Sequence, residues 1–176
     1  MDVNTLKSVY FIGAGGIGMS ALVRYFLSKG KKVGGYDRTP SELTEKLIEE
    51  GAAIHYEEST ELITDAFRNP ATTLVVYTPA VPDTHKEFTY FRENGFEIHK
   101  RSQVLGMLKG LCVAGTHGKT TTSTMTAHLL HQSHVGCNAF LGGISKNYGT
   151  NLLLSDSSEY MVIEADEFDR SFHWLS

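Results

Sequence analysis

The chain has 176 residues, 41% of them hydrophobic and 20% charged, with a formal net charge of −4. This is the composition of a globular protein able to bury a core. The longest basic run is Lys29-Gly30-Lys31-Lys32, so the electrostatic footprint of a nucleic-acid partner is missing.

In chain order, Met1 to Lys7 is polar and lacks an apolar signal core. No stretch approaches the roughly 18 apolar residues of a membrane span, so a soluble cytoplasmic protein with no membrane partner is expected. Val9-Tyr10-Phe11-Ile12 is a short β-prone run that enters Gly13-Ala14-Gly15-Gly16-Ile17-Gly18. Met19 to Ser28 then reads as a helix, with Ile17, Ala21, Leu22, Tyr25 and Phe26 spaced for one buried face. Lys32 to Tyr36 makes a second strand that ends at Asp37, an acid 19 residues beyond Gly18. Gly13, Gly15 and Gly18 thus stand in the strand-to-helix setting of a Rossmann fingerprint, which places a pyrophosphate near Gly15 to Ser20. The residues alone do not say whose pyrophosphate it is.

Pro40-Ser41-Glu42 opens a helix with Leu43, Leu47 and Ile48 inward, closed by Gly51. Ala52 to His55 is a short strand candidate and Ser59 to Phe67 a weakly amphipathic segment. Thr73 to Tyr77 is a clear strand broken by Thr78-Pro79-Ala80-Val81-Pro82. In a parallel α/β sheet this break belongs on the ligand rim beside Gly15 to Ser20. Thr84 to Asn94 reads as a helix, Phe96 to His99 as a strand, and Gln103 to Lys109 as a helix leading to a domain boundary near 105–110.

Leu111 to Ala114 is an apolar strand that runs into Gly115-Thr116-His117-Gly118-Lys119-Thr120-Thr121-Thr122. Strand, glycine turn and helix start aim backbone N–H groups and a helix N-terminus at one point, which favours an anion. The usual phosphate loop has glycine five positions before Gly118, where Val113 stands, so this is a shorter G-x-x-G-K-T-T form. Lys119 suits terminal phosphate charge and the Thr120 hydroxyl a Mg²⁺ ion. The pattern is that of an ATP-type site.

Thr120 to His131 is expected to be helical, with Met125, Leu129 and Leu130 inward. His128, His131 and His134 invite a metal reading, but no complete ligand set stands at an established spacing, and solvated polar residues are expected. Cys112 and Cys137 lie in apolar contexts without C-x-x-C pairing, as reduced thiols do. Val135 to Leu141 is a strand candidate, followed by Gly142-Gly143-Ile144 and a polar loop through Gly149-Thr150-Asn151. Tyr160 to Ile163 is a buried strand, and Glu164 follows at its end, where a Mg²⁺-coordinating carboxylate is expected downstream of a phosphate loop. Asp166, Glu167 and Asp169 read rather as a solvated acidic turn.

Phe11 to Ser20, Ala114 to Thr122, Gly142-Gly143 with Gly149-Thr150-Asn151, and Glu164-Ala165-Asp166-Glu167 together resemble the ATP-dependent Mur ligases of bacterial cell-wall synthesis. The resemblance covers nearly the whole chain. It implies an α/β protein: a Rossmann-like parallel-sheet domain over 1–107 for the UDP-sugar, then an incomplete ATP-binding middle domain over 108–176. By position, Gly15, Gly16, Ile17, Gly18, Met19 and Ser20 would meet the UDP diphosphate, with Thr78, Pro79 and Ala80 nearby. Asp37 and Arg101 are further carry-overs, and Thr150 and Asn151 would face the sugar. Gly115, Thr116, His117, Gly118, Lys119, Thr120 and Thr121 would hold ATP, and Thr120 with Glu164 would bind Mg²⁺. The implied reaction activates the carboxylate of UDP-N-acetylmuramate as an acyl phosphate, which the amine of L-alanine attacks; this stretch alone is expected to be inactive. Besides a regulatory nucleotide-binding module with no chemistry, two alternatives stand beside it. One is a peptide-recycling ligase on the same UDP-sugar. The other is an NAD-dependent oxidoreductase, which leaves residues 111–122 and Glu164 unexplained.

Overall fold

The structure is a computed structural model and describes residues 5–164. Asp166, Glu167, Asp169 and the apolar stretch 172–175 lie outside the described residues. The chain divides into two compact units, residues 1–101 and 102–176. The division falls at the start of a helix, Arg101–Met107, which continues almost directly into the first strand of the second unit, Lys109–Val113.

The first unit is built on a parallel sheet of β1 (Ser8–Ile12), β2 (Lys32–Tyr36), β3 (Ala53–His55), β4 (Thr73–Tyr77) and β5 (Glu97–Lys100), in the order β3-β2-β1-β4-β5. Strand order reverses at β1, which pairs with β2 on one side and β4 on the other, and such a switch point is where open α/β sheets bind ligands. Helices α1 (Ile17–Ser28), α2 (Glu42–Glu49) and α3 (Lys86–Glu93) make the crossovers. Side chains of β1 alternate between two buried faces. Tyr10 and Ile12 join Phe67, Val75, Phe88, Phe91 and Phe96 on one, while the Phe11 ring meets Phe26 of α1 on the other. Ser41 caps α2 with a reciprocal capping box to Thr44, which fixes the start read from Pro40-Ser41-Glu42.

Three local expectations fail here. Ile17 is 75% exposed and stands in the first turn of α1. Ile48 is also exposed, and Thr44 and Leu47 form the buried side of α2. Residues 59–67 form two short 3-10 turns, Thr60–Leu62 and Asp65–Phe67, instead of one helical segment; their apolar members Ile63 and Phe67 are buried.

In the second unit α4 (Arg101–Met107) leads to β6 (Lys109–Val113), then α5 (Lys119–Gln132), β7 (Asn138–Ser145), β8 (Thr150–Leu153) and β9 (Tyr160–Glu164). The sheet order is β6-β9-β7-β8, with β8 antiparallel to β7 and the other pairs parallel. The polar loop expected over 142–151 is therefore a hairpin, because β7 continues through Gly142 and Gly143 to Ser145 and turns back. Helix α5 presents the expected face only in part, with Leu130 packed against the core. Met125 and Leu129 are 61% and 69% exposed, and the small residues Ser123 and Ala127 face inward, where they allow close approach of helix to sheet. Cys137 is buried and its Sγ lies 3.3 Å from the Ala127 carbonyl oxygen; Cys112 is exposed.

Candidate functional site

Two glycine loops stand at the carboxyl ends of strands, one in each unit, and each opens a helix. Helix α1 is entered through Gly16 and α5 through Gly118, in neither case with a side-chain cap or an acidic residue in the first turn. The first N–H groups of a helix without such partners are open to an anion.

In the first loop the Gly15 N–H donates to Asp37 Oδ2 at 2.6 Å. Asp37 Oδ1 accepts from the Thr39 N–H, so this acid ties the rim of β2 to the loop. Gly13, at φ +92°, has Thr78 Cγ2 where a Cβ would stand, and the Thr78 N–H donates to the Ile12 carbonyl at 3.3 Å. Thr78 is thereby brought against the loop, while Pro79 and Ala80 are exposed beyond it. A Cβ on Gly18 would lie 2.7 Å from Arg101 Nε. Absence of that carbon lets the guanidinium sit against the first turn of α1, adding positive charge to the positive end of the helix. Met19 and Ser20 are buried, and the Ser20 hydroxyl donates to the Ile17 carbonyl. Gly15, Gly16, Ile17, Gly18, Thr78, Asp37 and Arg101 are thus gathered in one place, with Met19 and Ser20 reaching it only through their backbone.

In the second loop Gly118 is left-handed at φ +77°, and Thr116, His117 and Thr121 are exposed. Lys119 Nζ donates back to the Gly115 carbonyl at 2.6 Å, which folds the ammonium over the loop. The Thr120 hydroxyl donates to Glu164 Oε1 at 2.9 Å, and Glu164 Oε2 accepts from the Gly142 N–H at 2.9 Å. Register explains this meeting. Val113 is paired with Glu164 across β6 and β9, so the acid stands beside the strand that enters the loop. The same carboxylate occupies the space a Cβ on Gly142 would need. Among the described residues no three His, Cys, Asp or Glu side chains cluster as a metal cage. One hydroxyl and one carboxylate is the sparse protein set Mg²⁺ uses when waters and phosphate oxygens complete its shell.

Thr150 and Asn151 open β8 at the sheet edge, and the Thr150 hydroxyl accepts from the Leu152 N–H. His131 and His134 are exposed, as expected of solvated polar residues, whereas His128 is partly buried. His128 Nδ1 lies 2.7 Å from the Tyr148 hydroxyl, and the His131 ring meets the Tyr148 ring edge-on at 5.4 Å.

One polar cluster has no precursor in the sequence reading. Glu87 is fully buried, accepts from the Tyr10 hydroxyl at 2.8 Å and the Ser59 N–H at 3.2 Å, and stands 3.7 Å from His55 Nε2. Burial pushes its carboxyl up to about 7, against the lowering effect of those hydrogen bonds. Burial also lowers His55 and His85.

Residues 8–110 match the Mur ligase family, catalytic domain, and residues 113–176 match the Mur ligase middle domain. The chain belongs to the Mur ligase family. It is 97% identical to the UDP-N-acetylmuramate–L-alanine ligase of Phocaeicola vulgatus and 69% identical to that of Parabacteroides distasonis, in both cases over the whole chain but only 39% of the relative. The chain therefore spans about two fifths of the length of these relatives. Among solved structures it is similar to UDP-N-acetylmuramate-alanine ligase from Thermotoga maritima, with a TM-score of 0.69 and 32% identity over 91% of this chain and 37% of that one. It is also similar to a murein peptide ligase from Psychrobacter arcticus, with a TM-score of 0.71 and 25% identity over 92% of this chain and 38% of that one. Among the described residues no helix is long and apolar enough to cross a membrane.

Proposed function

We propose that this chain carries the nucleotide-handling part of an ATP-dependent ligase that joins L-alanine to UDP-N-acetylmuramate in peptidoglycan precursor synthesis. The observation that carries the reading is the Thr120–Glu164 hydrogen bond, 44 residues apart in sequence and 2.9 Å in space, at the base of a glycine loop. The substrates are those of the UDP-N-acetylmuramate–L-alanine ligases that this chain is similar to.

In this reading the first loop, with Gly15, Gly16, Ile17, Gly18 and the Arg101 guanidinium, takes the diphosphate of the UDP-sugar. Helix-end amides and a fixed cation suit a diphosphate without reading its base. The second loop, Gly115 to Thr121, takes the ATP phosphates. Thr120 and Glu164 would hold a Mg²⁺ ion, which when bound neutralises phosphate oxygens. The protein's own work is positional: carboxylate and γ-phosphoryl group are both anionic, and Lys119 with the loop amides offsets their repulsion and holds them in line. Transfer of the γ-phosphoryl group from ATP to the carboxylate then gives an acyl phosphate and ADP, and attack by the amine, which gives up a proton, expels inorganic phosphate and leaves the amide. A peptide-recycling ligase would share this machinery and differ in the amine it accepts; the names of the 97% and 69% identical relatives favour alanine.

In the full-length protein, Lys119→Ala is expected to cut turnover by roughly 10²–10³-fold, the usual effect of removing one preorganised charge-stabilising donor. Binding of the UDP-sugar should persist. Phosphate release and isothermal titration measure the two separately, and near-normal turnover would defeat the assignment.

A further inference from the structure

We infer that Tyr148 is a positioning residue: held by His128 and His131, it latches the β7–β8 turn to α5 and so sets Thr150 and Asn151 for the sugar substrate. The inference rests on the reading of Thr150 and Asn151 as substrate-facing.

The turn is closed on itself by the Tyr148 and Gly149 N–H groups, which both donate to the Ser145 carbonyl at 3.3 and 2.8 Å. That closure fixes its shape but not its place. Placement comes from two clamps on the same hairpin. Near the phosphate loop, Gly142 donates to Glu164, and Gly143 has Thr120 Cγ2 3.5 Å from where its Cβ would stand. At the far end the Tyr148 hydroxyl lies 2.7 Å from His128 Nδ1, the His131 ring stands edge-on at 5.4 Å and 85°, and the tyrosine ring packs on the Ala127–Leu141–Leu153 core. Between the clamps the β7–β8 register is broken from Phe140 to Ser145, so the ladder gives this stretch little support. Histidines three residues apart on one helix face supply both the polar contact and the aromatic edge. This accounts for two members of the His128, His131, His134 series without a metal.

Steady-state kinetics on the full-length protein test the latch. Tyr148→Phe keeps the ring and removes the hydroxyl; it is expected to raise KM for UDP-N-acetylmuramate about five- to tenfold, the ordering effect of one hydrogen bond. KM for ATP and kcat should stay within about twofold, because Lys119 and Thr120 sit on the helix that does the holding. His128→Ala should reproduce this effect and the double variant should add nothing to it. His128→Asn, which returns a polar atom near the Nδ1 position, should restore the parent KM. His128→Ala carries the same test if Tyr148→Phe folds poorly. Asn151→Ala is measured alongside. If it raises the sugar KM while Tyr148→Phe and His128→Ala do not, the latch is refuted and the substrate reading stands. An unchanged KM in Asn151→Ala refutes that reading and the inference with it. Strict additivity in the double variant also overturns the latch.

Discussion

Glu87 carries the sharpest residue-level consequence. A carboxyl raised by burial to about 7 in the folded chain, from 4.5, binds its proton more tightly folded than unfolded. Its stabilising contribution is therefore complete below about pH 4.5 and is lost as pH rises through about 7. His55 and His85, lowered by burial, work in the opposite sense, since stability rises with pH until their unfolded value of 6.5 is passed. Above that point Glu87 is alone among the three. Glu87→Gln, which can still accept from Tyr10, is expected to gain stability relative to the parent between pH 5 and 8, by on the order of 2–3 kcal/mol. Thermal melts of both proteins across that range check it; parallel pH profiles would show that Glu87 does not titrate there. No pattern in the sequence marked this glutamate, because its partners come from two distant segments, Tyr10 on one and His55 with Ser59 on the other. Glu164 was readable because its signal is local, an acid ending an apolar run downstream of a glycine loop. Tyr148 had no such signal.

At the scale of elements, strands were easier to read than helix faces. β1, β4 and β9 are apolar runs buried on both faces, and composition alone identifies such a strand. Helix α5 misled because Met125 and Leu129 outrank Ser123 and Ala127 in hydrophobicity, yet close packing on the sheet selects the small residues. The β7–β8 hairpin was hidden by its glycines and polar residues, whose strand character comes from pairing rather than propensity. β2 shows the same dependence on context. A Cβ on Gly35 would collide with the Phe11 carbonyl, and one on Gly34 would lie 2.5 Å from the Phe67 ring. Gly35→Ala is expected to destabilise the chain by about 1–3 kcal/mol, as forced overpacking does, and urea unfolding measures it. A loss under about 0.5 kcal/mol would mean that β1 and β2 part without strain.

For the whole molecule, the parallel sheet of the first unit and the two glycine loops were readable because each glycine motif came with its strand, its helix and, in the second unit, its acid. What each loop holds was not, since helix N-termini recognise phosphate rather than the compound that bears it. On the function proposed above, the two loops are anion sites that serve different nucleotides. Gly18→Ala pushes the Arg101 guanidinium off the first loop, and Gly142→Ala drives into the Glu164 carboxylate at the second. Titration calorimetry of the full-length protein and both variants with UDP-N-acetylmuramate and with ATP–Mg²⁺ is the direct measurement. Gly18→Ala is expected to weaken the sugar nucleotide about tenfold or more and leave ATP unchanged, and Gly142→Ala to do the reverse, each by loss of one or two charge-assisted contacts. If either substitution weakens both ligands equally, or neither ligand binds the parent protein, the two-site account is wrong.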